Sequence, residues 1–443
     1  MVYARWTICE VNIMSTNTLS STADMLSEAE RILRLNDKGG YTVPTHGLYP
    51  FQWNWDSCLT ALGQASFDES RAWLEIETLV AHQWEDGMVP HIVFHVENDG
   101  YFPGPAVWGT GRRTPTSGIT QPSVMGLVIE QLWRRGSKTE ALKSRCRELV
   151  FAANRWHAWF YTCRDPRDTG LVALLHPWES GRDNSCDWDV ALAAVQADNV
   201  TPYTRRDTQH VDASQRPTKF EYDRYIALVE LFRACNWDNT KLHDASPFQV
   251  VDPGFNAILI HSDQALARLA ADIGETAISE MAEARASRAL QAMDTLWSAD
   301  NGQYVAYDRI KQQPVDSASI GGLLPVLVLP AGHPNQAHIC KSIGRILDLA
   351  PYGVASHDPE DARFDSKRYW RGPSWLVVNY LLIKGLLQNE QPALAERIRQ
   401  ASLRSIAKSG CAEYYDPHTA EPLGGKTFTW TAAMVIEFLR DAR

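Results

Sequence analysis

The chain has no long apolar run. Nowhere in its 443 residues do eighteen apolar residues follow one another, so no membrane-spanning helix is expected. It has no basic excess either. Its 43 Lys and Arg stand against 53 Asp and Glu, a formal net charge of −10, with both signs spread along the chain. A nucleic-acid or anionic-membrane surface wants a basic face, so neither partner is expected. Eight cysteines, at 9, 58, 146, 163, 186, 235, 340 and 411, form no Cys-x-x-Cys pair and no dense framework. Reduced thiols and a cytoplasmic setting are the expectation. Residues 1–21 hold one Arg and a broken apolar run, a poor secretory signal; residues 1–25 read as a disordered leader, with Met14 as an alternative start. There is no phosphate loop or dinucleotide fingerprint, Gly109-Thr110-Gly111 being an isolated fragment, and Ser180-Gly181 is not part of a nucleophile elbow. His91 and His95 have helical spacing, but Ile92-Val93-Phe94 between them reads as strand and no Glu follows His91. Neither metal nor cofactor is expected.

What remains is helical and rich in tryptophan, with 16 Trp and a hydrophobic content of 44%. Leu142, Cys146, Leu149, Ala153, Trp156 and Phe160 recur at spacings of four and three, one apolar face with Lys, Arg and Glu opposite. Trp375 to Ile383 is instead apolar on nearly every side, the mark of a helix buried all round. Amphipathic outer helices alternating with apolar inner ones imply two concentric layers. Polar-aromatic loops precede the inner candidates: Gln52–Ser57, Ile119–Ser123, Asp183–Ser185, Val315–Ser317, Arg371–Ser374 and Thr427–Trp430. Ser, Asp or Thr can cap a first turn and Pro suits the first helical position. Several of these starts lie roughly 50–70 residues apart, the length of an outer plus an inner helix with loops. The expected architecture is all-α: helical hairpins closed into an (α/α)6 toroid over residues 26–443, one catalytic domain. Long loops near 84–118 and 161–220 are expected to serve as lids, with a few short strands.

The chemistry concentrates in His176–Asp189, where four carboxylates and two tryptophans, Trp178 and Trp188, share fourteen residues. Carboxylates move protons and indole faces hold a pyranose ring, so this is the composition of a sugar-cleaving site. Asp183, after Gly181 and before an apparent helix start, is either a helix cap or a catalytic acid; the flanking Trp residues and a Gly that lets ligand approach favour the acid. A general acid must stay protonated near neutrality. Walls from Trp178 and Trp188, and a second charge from Glu179 or Asp187, are expected to raise its pKa. Glu413, which neighbouring Tyr414 and Tyr415 are expected to hydrogen-bond and orient, is the expected base, the alternative being a solvent-exposed acid. Tyr49–Asp56 offers stacking faces in Trp53 and Trp55 and a hydroxyl clamp in Asp56; Tyr369–Trp375 has the same chemistry. Arg216 and its neighbours differ: a guanidinium can grip a carboxylate bidentately, while Thr218 and Glu221 resemble a capping box.

In this order, Tyr49-Pro-Phe-Gln-Trp-Asn-Trp-Asp-Ser, Trp178-Glu-Ser-Gly-Arg-Asp-Asn-Ser, Arg216-Pro-Thr-Lys-Phe-Glu-Tyr, Tyr369-Trp-Arg-Gly-Pro-Ser-Trp and Glu413-Tyr-Tyr-Asp-Pro resemble glycoside hydrolase family 63, closest to its bacterial glucosylglycerate and mannosylglycerate hydrolases. The resemblance implies an (α/α)6 toroid that cleaves an α-glycosidic bond to glycerate with inversion. It implies Asp183 as general acid and Glu413 as general base. Tyr49, Trp53, Trp55, Asp56, Gln121, Tyr369, Trp370 and Trp375 are implied as the sugar wall. Arg216 and Tyr222 are implied to receive the glycerate carboxylate, with Tyr101 closing from a lid. Trp178, Gly181 and Trp430 complete the substrate-binding candidates, and Lys426 is a candidate for a further aglycone contact. The rival expectations are a neutral oligosaccharide α-glucosidase with Arg216 structural, a non-catalytic sugar-binding protein, and a toroidal epimerase. The last would lean on His, yet the 13 His do not gather in the acidic clusters.

Overall fold

Local capping chemistry decides where the chain turns into helix. The computed structural model describes residues 21–209 and 211–440. The expected leader lies outside the described residues as far as residue 20, but its end is helical: Ser21 and Asp24 satisfy each other's backbone N–H groups in a capping box that starts helix Thr22–Leu35. Thr218 and Glu221 form the expected box ahead of Lys219–Ala234.

Five helices and a pair of 3-10 turns make an inner ring: Asn54–Gln64, Met125–Arg135, Pro253–Ile273, the turns Ile320–Gly322 and Leu324–Leu327, Leu376–Gln388 and Thr429–Arg440. Each packs on the next, and Thr429–Arg440 closes the circle on Asn54–Gln64. An outer layer follows: Thr22–Leu35, Glu69–Val80, Glu140–Arg164, Thr276–Met293, Gln336–Leu349 and Pro392–Ser409. This is the expected (α/α)6 toroid. The expected apolar stripe of Glu140–Arg164 is buried throughout, and Leu376 to Ile383 is buried on every side.

Two expected inner-helix starts are corrected. Asp183–Ser185 opens only a 3-10 turn, Cys186–Trp188, and a five-residue helix, Asp189–Ala193. Arg182 pairs with Asp187 and folds the segment back on itself. The inner helix starts instead at Asp252, whose carboxylate accepts from the N–H groups of Gly254 and Phe255 and is followed by Pro at the first position. Val315–Ser317 leads to 3-10 turns, where Gly321-Gly322 and Pro325 deny a regular helix its propensity and an N–H.

The strands are two-residue pairings in the loops. Gln52–Trp53 pairs antiparallel with Ile92–Val93, tying the 84–118 loop to the first inner helix. Tyr414–Tyr415 pairs with Pro422–Leu423 in the last loop. The loop expected from 161 begins at 165, after Glu140–Arg164 ends. Among the described residues, no helix is long and apolar enough to cross a membrane.

Candidate active site

Segments that lead into four of the inner helices, together with the loop of Asp183, line one cavity. Trp53 ends a strand and, with extended φ and ψ, precedes helix Asn54–Gln64, so Trp55 and Asp56 lie in its first turn. Gln121, from the segment before Met125–Arg135, accepts from the Trp55 N–H at 3.2 Å. Three carboxyl groups, Asp56, Asp183 and Glu413, face this one space.

Asp183 is anchored by its main chain: its carbonyl accepts from the Tyr225 hydroxyl at 2.8 Å. On either side, the Arg182 carbonyl accepts from the Trp188 indole at 2.7 Å and the Asn184 amide oxygen from the Trp370 N–H at 2.9 Å. Burial pushes the Asp183 carboxyl up to about 7; Arg216 pulls it down, while Glu413 and Asp207 push it further up. Asp56 is raised well above the carboxylate range, first by burial and then by Glu413 and Asp183. Glu413 is dressed differently. Its Oε1 accepts from the Tyr49 hydroxyl at 3.0 Å; its Oε2 accepts from the Gly425 N–H at 2.8 Å and from Arg216 at 3.3 Å. All three are donors, the set an acceptor-only carboxylate uses.

Aromatic rings form the walls. Trp178, Trp370 and Trp430 line the cavity with Trp53 and Trp55; Tyr49, Tyr101 and Tyr369 fill between them. Tyr101 reaches in from the 84–118 loop and packs edge-on against Trp53, ring centroids 5.2 Å apart. Gly181 lies among them at φ 68°, in the left-handed region; a Cβ there would meet the Trp55 ring at 2.7 Å.

Three expected residues are elsewhere. Trp375 stacks 3.9 Å behind Trp370 and 4.4 Å from Tyr414, so it backs the wall without forming it. Arg216 is buried off the cavity surface, over the Tyr369 ring at 4.6 Å, with its charge on Glu413; its Nε has no partner among the described residues. Tyr222 packs against Trp178 and Tyr203 at the base of the 161–220 loop and donates to the Phe102 carbonyl at 3.1 Å.

Other expectations are corrected outright. Trp188 is core, packed against Phe248. Glu179 is held by Arg164 and Asp187 by Arg182, so neither lends Asp183 a second charge; Glu413 does. Tyr415 does not orient Glu413, because its hydroxyl is spent within its own turn on the Gly410 carbonyl and the Ala412 N–H. Lys426 is exposed and does not line the cavity. Sequence reasoning missed Pro44, Phe428 and His91. His91 was visible only as half of a metal spacing. It is neutral here, its pKa lowered to about 3 by burial and by nearby His176, and it stacks on Trp178. His95 instead stacks on Tyr41.

The family model described as the mannosylglycerate hydrolase MGH1-like glycoside hydrolase domain matches residues 49–431. The chain is 43% identical over 418 residues to mannosylglycerate hydrolase MGH1 of Selaginella moellendorffii, covering 94% of this chain and 86% of that one. It is 35% identical over 442 residues to the glucosylglycerate hydrolase of Mycolicibacterium hassiacum, covering 94% and 97%. The crystal structure of a GH63 mannosylglycerate hydrolase from Thermus thermophilus in complex with Tris and D-glycerate matches with a TM-score of 0.90 at 39% identity, over 94% of this chain and 100% of that one. With a closed helical ring, carboxyl groups facing one aromatic cavity and these likenesses, the chain belongs to the MGH1-like glycoside hydrolases of family 63 and is a glycosidase.

Proposed function

We propose that the protein hydrolyses an α-glycoside of glycerate, glucosylglycerate or mannosylglycerate, with inversion at the anomeric carbon. The observation that supports this most is the contrast between two carboxyls on one cavity: Asp183, raised to about 7, and Glu413, ringed by three donors. Asp183 protonates the bridging oxygen as the bond to the sugar lengthens. Glu413 takes a proton from the water that attacks the opposite face. Inverting enzymes keep the two carboxyls about 6.5–9.5 Å apart so that this water fits. The indole walls hold the ring and exclude bulk water, which strengthens every charge inside. Arg216 is the candidate for the aglycone carboxylate; it lies behind Tyr369 with its Nε buried and unpartnered, so contact requires the Tyr369 ring to move aside. The names of the relatives, hydrolases of mannosylglycerate and of glucosylglycerate, support the substrate class.

The test is direct. Incubation with each substrate separately, followed by early-time proton NMR, should show the β-anomer of glucose or mannose released first. Release of the α-anomer would overturn inversion. A second reading, a neutral oligosaccharide α-glucosidase, draws on the pairing of Arg216 with Glu413, which gives Arg216 a task without any aglycone. Cleavage of maltose-type substrates with both glycerate glycosides left intact would establish it.

A further inference from the structure

Next to Asp183 lies a buried ionic cluster that no step of the chemistry above uses. Arg182 donates from Nη1 to Asp187 at 2.8 Å and from Nη2 to Asp252 at 2.7 Å. Nη1 also reaches Ser185 and Ser319, both at 3.2 Å, and Ser319 donates to Asp187 at 2.6 Å. Arg182, Asp187 and Asp252 are each 3% exposed or less. Two carboxylates on one guanidinium leave the interior with an excess acid, and buried ion clusters are weak stabilisers compared with packed apolar side chains. The cluster joins three segments far apart in sequence. Asp252 caps inner helix Pro253–Ile273, Ser319 caps the 3-10 turn that replaces a regular inner helix, and Arg182 and Asp187 belong to the loop that carries Asp183. The space is made for it: a Cβ on Gly321 would stand 2.4 Å from Arg182 Nη2.

We infer that the Arg182–Asp187–Asp252 cluster positions Asp183, fixing the acid-bearing loop to the inner ring so that its carboxyl meets the bridging oxygen. Arg182 touches no substrate; it acts through the backbone it shares with Asp183. Leaving-group protonation is the step such a device serves, so loosening it slows substrates that need a proton and spares those that do not. This rests on the acid role of Asp183.

The variants are Asp252→Asn and Gly321→Ala. Asp252→Asn keeps one oxygen, shared by Arg182 and the Gly254 N–H, but gives up the acceptor for the Phe255 N–H and removes one of the two charged partners of Arg182. Gly321→Ala pushes on the far end of a flexible side chain. Each is assayed, with Asp183→Asn beside it, on the glycerate glycoside and on the matching α-glycosyl fluoride, whose fluoride departs without an acid. The expected result is a fall in kcat of tenfold or more on the glycoside for both variants, KM within about twofold, and activity on the fluoride within about threefold of wild type. Equal losses on both substrates would reduce the cluster to a structural role and overturn the inference, as would wild-type kcat on the glycoside. Asp183→Asn reports separately on the underlying assignment: if it loses the fluoride as severely as the glycoside, the acid role of Asp183 fails. Thermal unfolding of each variant identifies one that does not fold, and the other then carries the test.

Discussion

Two of the three cavity carboxyls, Asp183 and Glu413, are carried by loops built on opposite plans. The loop of Asp183 spends its hydrogen bonds on its own backbone: Tyr225 on the Asp183 carbonyl, Trp188 on that of Arg182, and an ion cluster on the Arg182 side chain. The loop of Glu413 spends them on the carboxylate itself, through Tyr49, Gly425 and Arg216. With Asp183 as the proposed acid and Glu413 as the proposed base, the difference teaches how one cavity can support both roles with the same chemical type. A carboxyl held from behind loses solvent and gains little in return beyond its own N–H, so burial favours its neutral form. A carboxyl held by donors keeps an acceptor ready for a water proton.

Removing each carboxyl breaks the contrast most severely. Asp183→Asn and Glu413→Gln should each cost about 10²–10⁴ in kcat on the glycerate glycoside while circular dichroism stays unchanged. Near-wild-type turnover in either would remove that residue from the mechanism. The two glycines separate the walls more finely. Gly424 has φ 68°, and a Cβ there would stand 2.3 Å from Glu413 Oε2; at Gly181, also at φ 68°, the Cβ meets Trp55 instead. Gly424→Ala therefore mis-aims the base and should lower kcat by about 10–10², since displacements near 1 Å cost that much. Gly181→Ala tilts a sugar-stacking ring and should act mainly on KM. Steady-state kinetics showing the reverse split would mean that the two loops are not specialised in this way.

The same contrast explains what was legible in the sequence. That Asp183 and Glu413 belong to one cavity was readable because their surroundings are unusual in composition: acids next to Trp and Tyr have few structural uses. Their partners were not, because they come from distant segments. Tyr49 reaches Glu413 across more than 360 residues of chain, and Arg216 across nearly 200. Proximity in sequence suggested Glu179, Asp187 and Tyr415, each of which is held by partners of its own, and Tyr414, whose ring instead stacks on Trp375. The ring itself was visible wherever an inner helix is apolar all round, as in Leu376–Gln388. It was hidden where Gly321, Gly322 and Pro325 break the helix, and where Asp252-Pro253 opens one without an aromatic loop ahead of it. His91 escaped notice because a neutral buried histidine has no sequence signature apart from its neighbours.

The raised pKa of Asp183 can be read in two ways. In kinetics, kcat/KM should fall as pH rises through about 7, where the acid loses its proton. In stability, the carboxyl is neutral in both folded and unfolded chains below its ordinary range near 4, so it costs nothing there. Between 4 and 7 the unfolded chain releases the proton and the folded chain keeps it. Above 7 the folded chain holds a buried charge, at a cost of about 4 kcal/mol for a carboxyl moved from 3.8 to about 7. Asp183→Asn removes that cost, so its Tm relative to wild type should climb from pH 5 to pH 8. A difference independent of pH would contradict a raised acid.

The smallest effects come from two tyrosines that differ only in what they hold. Tyr49→Phe removes a hydrogen bond to a carboxylate, and bonds to charged groups contribute about 1.5–3 kcal/mol. Tyr225→Phe removes one to a neutral main-chain carbonyl, for which about 1 kcal/mol is usual. If the Glu413 loop places its donors for catalysis and the Asp183 loop places its donors for position, Tyr49→Phe lowers kcat about tenfold with little change in Tm. Tyr225→Phe lowers Tm and leaves kcat within about fivefold. Paired kinetics and melting curves decide between the plans, because the two substitutions delete the same atom and differ only in which side of a carboxyl group it served.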